Sequence, residues 1–134
     1  MRQAQDTPLP AWEDLTLPII VHGLFLASLV AFPPAAIVGV ILAHASVGAA
    51  GPSAASHLRF QVRTFWLGLA AWALAAIATF WGGVFSMILI GIPLLVAAML
   101  ALGAVWLWAL VRSAVGLAWA VQGRPCPRPD SFTF

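Results

Sequence analysis

The side chains in this sequence that could carry chemistry are few and far apart. His22, His44 and His57 are the only imidazoles, Cys126 is the only thiol, and the four carboxylates, Asp6, Glu13, Asp14 and Asp130, lie towards the two ends. Hydrolysis needs a nucleophile, a base and an orienting acid that converge. Ser86 and Thr79 lie among apolar residues with no histidine near them in sequence, so the chain is expected not to be an enzyme. Proton-coupled export of cations needs a carboxylate inside the membrane. Residues 15–129 contain none, which removes that class.

The histidines leave one other chemistry, ligation of haem or a pigment by His22, His44 or His57. His22 and His44 would stand about 33 Å apart on a continuous helix and could not share an iron. His44 and His57 could lie on the same side. The simpler expectation has His44 meeting headgroups or a carbonyl, His57 bonding locally or to a partner, and His22 facing protein. A single cysteine gives no disulfide and no cysteine pair for zinc or an iron-sulfur cluster. No cofactor and no metal site is therefore expected. Cys126 could be acylated if it lies near a membrane, but a reduced thiol is the plainer expectation.

The elements that must position these residues are apolar. Hydrophobic residues make up 63% of the chain and charged ones 7%, with a mean hydropathy of +1.01, whereas a soluble domain carries about 25% charge. Residues 64–111 hold no charged side chain at all, a pattern that points to membrane helices. The pI of about 10.1 comes from six arginines in a chain without lysine. That is too sparse for a nucleic-acid surface, which needs a dense basic stripe.

The expected architecture is an all-α polytopic membrane protein with three transmembrane helices. Residues 1–16 read as a polar tail with Trp12 as a headgroup anchor, residues 17–122 as a helical membrane domain, and residues 123–134 as a proline-rich tail that cannot fold by itself. The Ala43-His44-Ala45 stretch imitates a signal-cleavage site, but the leader is acidic and too long for a signal peptide. Spans are expected at about 17–45, 60–81 and 93–112. The first is broken by Pro33-Pro34, which remove amide donors and crowd the preceding turn. It is either one kinked span or a re-entrant pair of short helices with its tip at the prolines. Ala35, Gly39 and Ala43 offer one face for close helix packing.

Gly51-Pro52 marks a turn, and the stretch after it is the most distinctive in the chain. On a helix His57, Gln61 and Thr64 share one side, while Arg59, Arg63 and Trp66 share nearly the opposite one. Arginines at this spacing repel by a few tenths of a kcal/mol, so an anionic counterpart is expected, either lipid phosphate or a partner's carboxylate. Trp66 and Phe80-Trp81 form two aromatic girdles, and Gly82-Gly83 is expected to loosen the helix. Ala71, Ala75, Thr79 and Gly83 form a small-residue stripe, continued by Ala97, Ala101 and Ala109. Pro93 suits a helix start, and Arg112, beyond Trp106 and Trp108, reads as a snorkelling interfacial anchor. The arginines place the first loop and the C-terminus in the cytoplasm and the N-terminus outside. A re-entrant first segment moves only the N-terminus inside.

The stretches HLRFQVRTFW, ILIGIPLL and VQGRPCPRP resemble a family of small bacterial membrane proteins of unknown function. That family is itself distantly similar to the multi-pass subunit of the chloroplast inner-envelope protein import machinery. The likeness covers about residues 17–128 and rests on His57, Phe60, Gln61, Arg63, Phe65, Trp66, Gly91, Pro93 and Gly123. The double proline at 33 and 34, where glycines are expected, and the proline-rich tail depart from the pattern. The resemblance implies a location in the bacterial inner membrane and a multi-pass architecture, and no reaction.

The functional expectation is a non-enzymatic integral membrane protein acting as an accessory, assembly or scaffold subunit. Its partners would be membrane lipid, including anionic headgroups, and other transmembrane helices or further copies of itself. The contact residues would be His57, Arg59, Gln61, Arg63, Trp66, Ala71, Ala75, Thr79, Gly83 and Arg112. The alternatives are an oligomeric transport or translocation module and a haem- or pigment-binding anchor subunit.

Overall fold

The computed structural model describes residues 14–132, which form four helices and no strand: α1 (Thr16–Val30), α2 (Ala35–Ser46), α3 (Pro52–Ser86) and α4 (Gly91–Val121). The anchoring role expected of Trp12 and the charge pattern of residues 1–13 lie outside the described residues. The chain divides into two compact units. One comprises residues up to 65 together with those from 110 onwards, and the other residues 66–109.

In the first unit the Asp14 carboxylate accepts hydrogen bonds from the Thr16 amide at 2.8 Å and the Thr16 hydroxyl at 2.5 Å, which holds the chain at the start of α1. The helix stops at Val30, with Ala31 already off the helical path at φ −137°, and Phe32 then precedes a proline, a setting that disfavours the helical region. The double proline does not kink one long helix, as the first choice between the two readings held. It separates two short ones of 15 and 12 residues, about 22 and 18 Å long, against ~30 Å of bilayer hydrocarbon. The two pack on each other through the expected small face. Ala35, Gly39 and Ala43 are buried, and a side chain added at Gly39 would stand 3.4–3.5 Å from Phe25, Leu24 and Val21. Val21, Phe25, Val40 and Ala43 then join Leu58 of α3 in one apolar core.

Pro52 opens α3, eight residues earlier than the expected span, because its missing amide costs nothing at a helix start. Gly82 and Gly83 do not loosen this helix, which runs unbroken to Ser86. Gly82 is there for close approach. A β-carbon at that position would lie 2.7 Å from the Leu95 amide nitrogen, so α3 and α4 meet backbone to backbone in the second unit. Gly68 meets Trp108 on the same hairpin. Ala75 and Ala98 are its buried alanines. Small residues at this contact permit the two helices to pack closely.

Only α3 and α4 are long and apolar enough to cross a membrane among the described residues. They have 35 and 31 residues, and α4 continues as helix beyond the span expected to end at Arg112, through Ser113 to Val121. Their most apolar 18-residue windows are only 11% and 6% buried. They are thus unlike the core helices of a soluble domain, which meet the same length and composition but are covered by protein.

Candidate functional site

The polar side chains that the sequence singles out separate into two groups, one buried and one open, within the first unit. The buried group begins with His57, which has no exposed surface. Its Nε2–H donates to the Arg124 carbonyl at 2.8 Å. That carbonyl is delivered by the end of α4. Gly123 takes a φ of 68°, the Arg124 amide bonds to Trp119 O at 2.9 Å and the Gly123 amide to Ala120 O at 3.1 Å. This is a helix C-terminus closed by a left-handed glycine, and it turns the tail back towards α3. One turn along from His57, Gln61 Nε2 donates to Pro18 O of α1 at 2.8 Å. Both side chains therefore bind distant backbone of this chain, where the sequence left a partner open.

Arg112 is the largest fully buried side chain, which corrects its reading as a snorkelling anchor. Its Cζ stands 3.8 Å from the centre of the Phe60 ring. Its Nε donates to Thr64 Oγ1 at 2.7 Å, and a terminal nitrogen donates to Ser131 O at 2.8 Å. Thr64 in turn donates to Phe60 O at 2.6 Å, so the guanidinium, the hydroxyl and a helix carbonyl form one chain of bonds. Burying a charge is costly unless it is hydrogen-bonded, and a desolvated cation over an aromatic face recovers about 2 kcal/mol. Trp119 covers Phe60 edge-on at 6.3 Å.

His22 packs against this group. Its ring centre lies 5.7 Å from that of His57, edge to face, and a methyl group at Gly116 would collide with the His22 ring. Both His22 ring nitrogens, His57 Nδ1 and Gln61 Oε1 are buried without a hydrogen-bond partner. The pairing of His44 with His57 considered from sequence is replaced by His22 with His57. Two rings in edge-to-face contact cannot stand on opposite faces of a porphyrin. No cluster of three or more His, Cys, Asp or Glu suited to a metal occurs among the described residues.

The tail is held by the same group. Cys126 is buried, and its amide donates to Ser56 Oγ at 3.0 Å. Burial pushes its thiol up to about 12, against the opposing pull of the Arg112 guanidinium and the Arg128 amide.

The open group lies on the other side of α3. Arg59 is exposed and Arg63 half-buried, with Arg63 Cζ 5.1 Å from the centre of the Phe132 ring. With His44, Val47, Val62 and Asp130 they line a shallow depression of about 250 Å³. His44 itself is exposed and donates from Nδ1 to Val40 O at 3.0 Å. The sequence offers no acid between Asp14 and Asp130, yet the returning tail places Asp130 beside the arginine pair.

The remaining expected contact residues fall in the second unit. Trp66 is exposed, Ala71, Thr79 and Gly83 are half-buried, and Ala75 is buried. The Thr79 hydroxyl donates within its own helix to Ala75 O at 2.8 Å. Ala97 and Ala101 of α4 are exposed. Sequence reasoning missed Gly116, Ser56, Trp119 and the Asp130 placement. Only Gly123, a glycine just after a helix, carried a local signal for the arrangement. Comparison of the chain with protein-family models, with curated proteins and with solved structures returns no match.

Proposed function

We propose that this chain is a non-enzymatic integral membrane protein that serves as an accessory, assembly or scaffold subunit. The observation that supports it most is the exposure of α3 and α4. Trp72, Leu74, Ile77, Phe80, Leu100 and Leu107 are each more than half exposed, a surface that needs lipid or other helices around it. The polar side chains with unusual chemistry are spent on this chain's own architecture, joining α1, α3, α4 and the tail. What is left facing outward is apolar helix, the small residues Ala97 and Ala101, and the basic depression. These are means of packing and anchoring.

In this reading α3 and α4 cross the membrane as a hairpin, and α1 with α2 form the re-entrant or interfacial pair. The exposed apolar tip of that pair, Val30 and Phe32 at 75% and 61%, dips into lipid. The N-terminus, the loop before Pro52 and the C-terminus then share the cytoplasmic side, where an excess of arginine belongs. The three-span arrangement with an outside N-terminus is the rival, and reporters fused at the N-terminus and after Gly51 separate the two. Signals on opposite sides would restore three spans.

The reading of function is tested by gentle detergent extraction followed by native mass measurement. A subunit is expected to emerge with a larger membrane partner or as a defined homo-oligomer, and monomer with lipid alone would overturn it. A second reading, an oligomer that lines a translocation path, follows from the resemblance to the bacterial family, which is itself distantly similar to the import-machinery subunit. In liposomes such a path would give flux that rises steeply with assembly.

A further inference from the structure

We propose that the depression beside Arg59 and Arg63 binds a phospholipid headgroup that carries a phosphate and a terminal primary ammonium. The phosphate is held by the two guanidinium groups and the ammonium by Asp130. This rests on the membrane reading above and deepens the role given there to the arginine pair.

Three observations carry it. First, the charges match in kind: two guanidinium groups one helical turn apart on α3 and one carboxylate from the tail line the same depression. Arginine is the side chain best shaped for phosphate oxygens, and Arg63, half-buried with its guanidinium against Phe132, is held at the edge of the depression. Second, Asp130 is delivered by a pinned segment. The next residue, Ser131, accepts from the buried Arg112 at 2.8 Å, and Phe132 lies against Arg63. Third, an apolar strip leads away from the site. Ile41, Val38 and Ile37 of α2, beginning one turn before His44, are 60%, 50% and 55% exposed, as acyl chains attached to a bound headgroup require.

The same geometry selects against the alternatives. An anionic headgroup ending in glycerol would leave Asp130 close to a phosphate with no cation between them. A quaternary ammonium has the charge but no N–H for the carboxylate. An acidic protein segment would meet Asp130 as a like charge.

The test uses the full-length protein in nanodiscs made from an equal mixture of phosphatidylethanolamine, phosphatidylcholine and phosphatidylglycerol with identical acyl chains, followed by native mass spectrometry of the retained lipid. Phosphatidylethanolamine is expected to be enriched over each of the others about tenfold, equivalent to ~1.4 kcal/mol. Arg59→Gln with Arg63→Gln should lower retention of all three lipids. Asp130→Asn should abolish the preference while lipid is still retained. An independent arm leaves the protein unchanged and methylates the lipid amine stepwise, and the preference should fall with each lost N–H. Equal retention of the ethanolamine and choline lipids, a preference for the glycerol lipid, or a preference that survives Asp130→Asn would overturn the proposal. Release of the protein from membranes by alkaline carbonate would overturn the membrane reading instead, so the two failures are distinguishable.

Discussion

Arg112 Cζ sits 3.8 Å from the centre of the Phe60 ring, and this contact ties α4 to α3 at the level where the tail returns. The guanidinium bonds Thr64 and Ser131 in two directions at once, a geometry that a lysine cannot reproduce. Arg112→Lys is therefore expected to destabilise the fold by about 1.5–3 kcal/mol, the range for hydrogen bonds to charged groups, seen as a lowered Tm in detergent. It should also release the tail, read as faster maleimide labelling of Cys126. Unchanged labelling would mean that Arg112 does not hold the tail.

The Cys126 thiol gives a pH dependence with a definite sign. Burial raises it from 9.0 to about 12 in the folded chain. Protonation thus favours the folded state, and the contribution is complete below pH 9.0 and lost as pH rises towards 12. Alkylation at pH 8 should be slow in the folded protein and fast after denaturation. Melting temperature should fall above pH 9 more in the native chain than in Cys126→Ala.

Gly116 is expected to be intolerant for one reason only, the His22 ring against it. Gly116→Ala should cost about 1–3 kcal/mol, the usual range for overpacking. Combining it with His22→Ala should recover most of that loss. Additive losses in the double variant would show that the two residues are independent.

Adjacent glycines in α3 provide a matched pair. Gly82→Ala places a carbon against the Leu95 backbone, which cannot move aside as a side chain would, whereas nothing lies within 4 Å of a β-carbon at Gly83. The first substitution should lower the Tm or open the hairpin. The second should be neutral or slightly stabilising, because alanine is the better helix former. Equal effects would contradict the close approach of α3 and α4.

Leu89 is the described non-glycine residue with a left-handed backbone, at φ 65° in the connection between α3 and α4. That conformation costs a residue with a β-carbon roughly 1–2 kcal/mol. Leu89→Gly should therefore raise stability by about 1 kcal/mol, measured by thermal unfolding in detergent, and a fall would show that the leucine side chain outweighs its backbone strain.

The long uncharged run at residues 64–111 set the helical, apolar character of α3 and α4 from sequence alone, because segment length and polarity need no knowledge of neighbours. The opposed sides of the stretch after Pro52 were equally legible. His57, Gln61 and Thr64 turn inward and Arg59 and Trp66 outward, as the helical period dictates. Tertiary structure decided the rest. A double proline reads the same whether the chain kinks or folds back, and only the packing of Gly39 against Phe25 settles it. Arg112 has the sequence setting of an interfacial anchor, and its burial depends on Phe60, Thr64 and Ser131, residues far from it along the chain. The meeting of His22 with His57, and of Asp130 with the arginine pair, likewise arises when α1 and the tail fold onto α3. Contacts between distant segments leave no periodic trace in a single sequence.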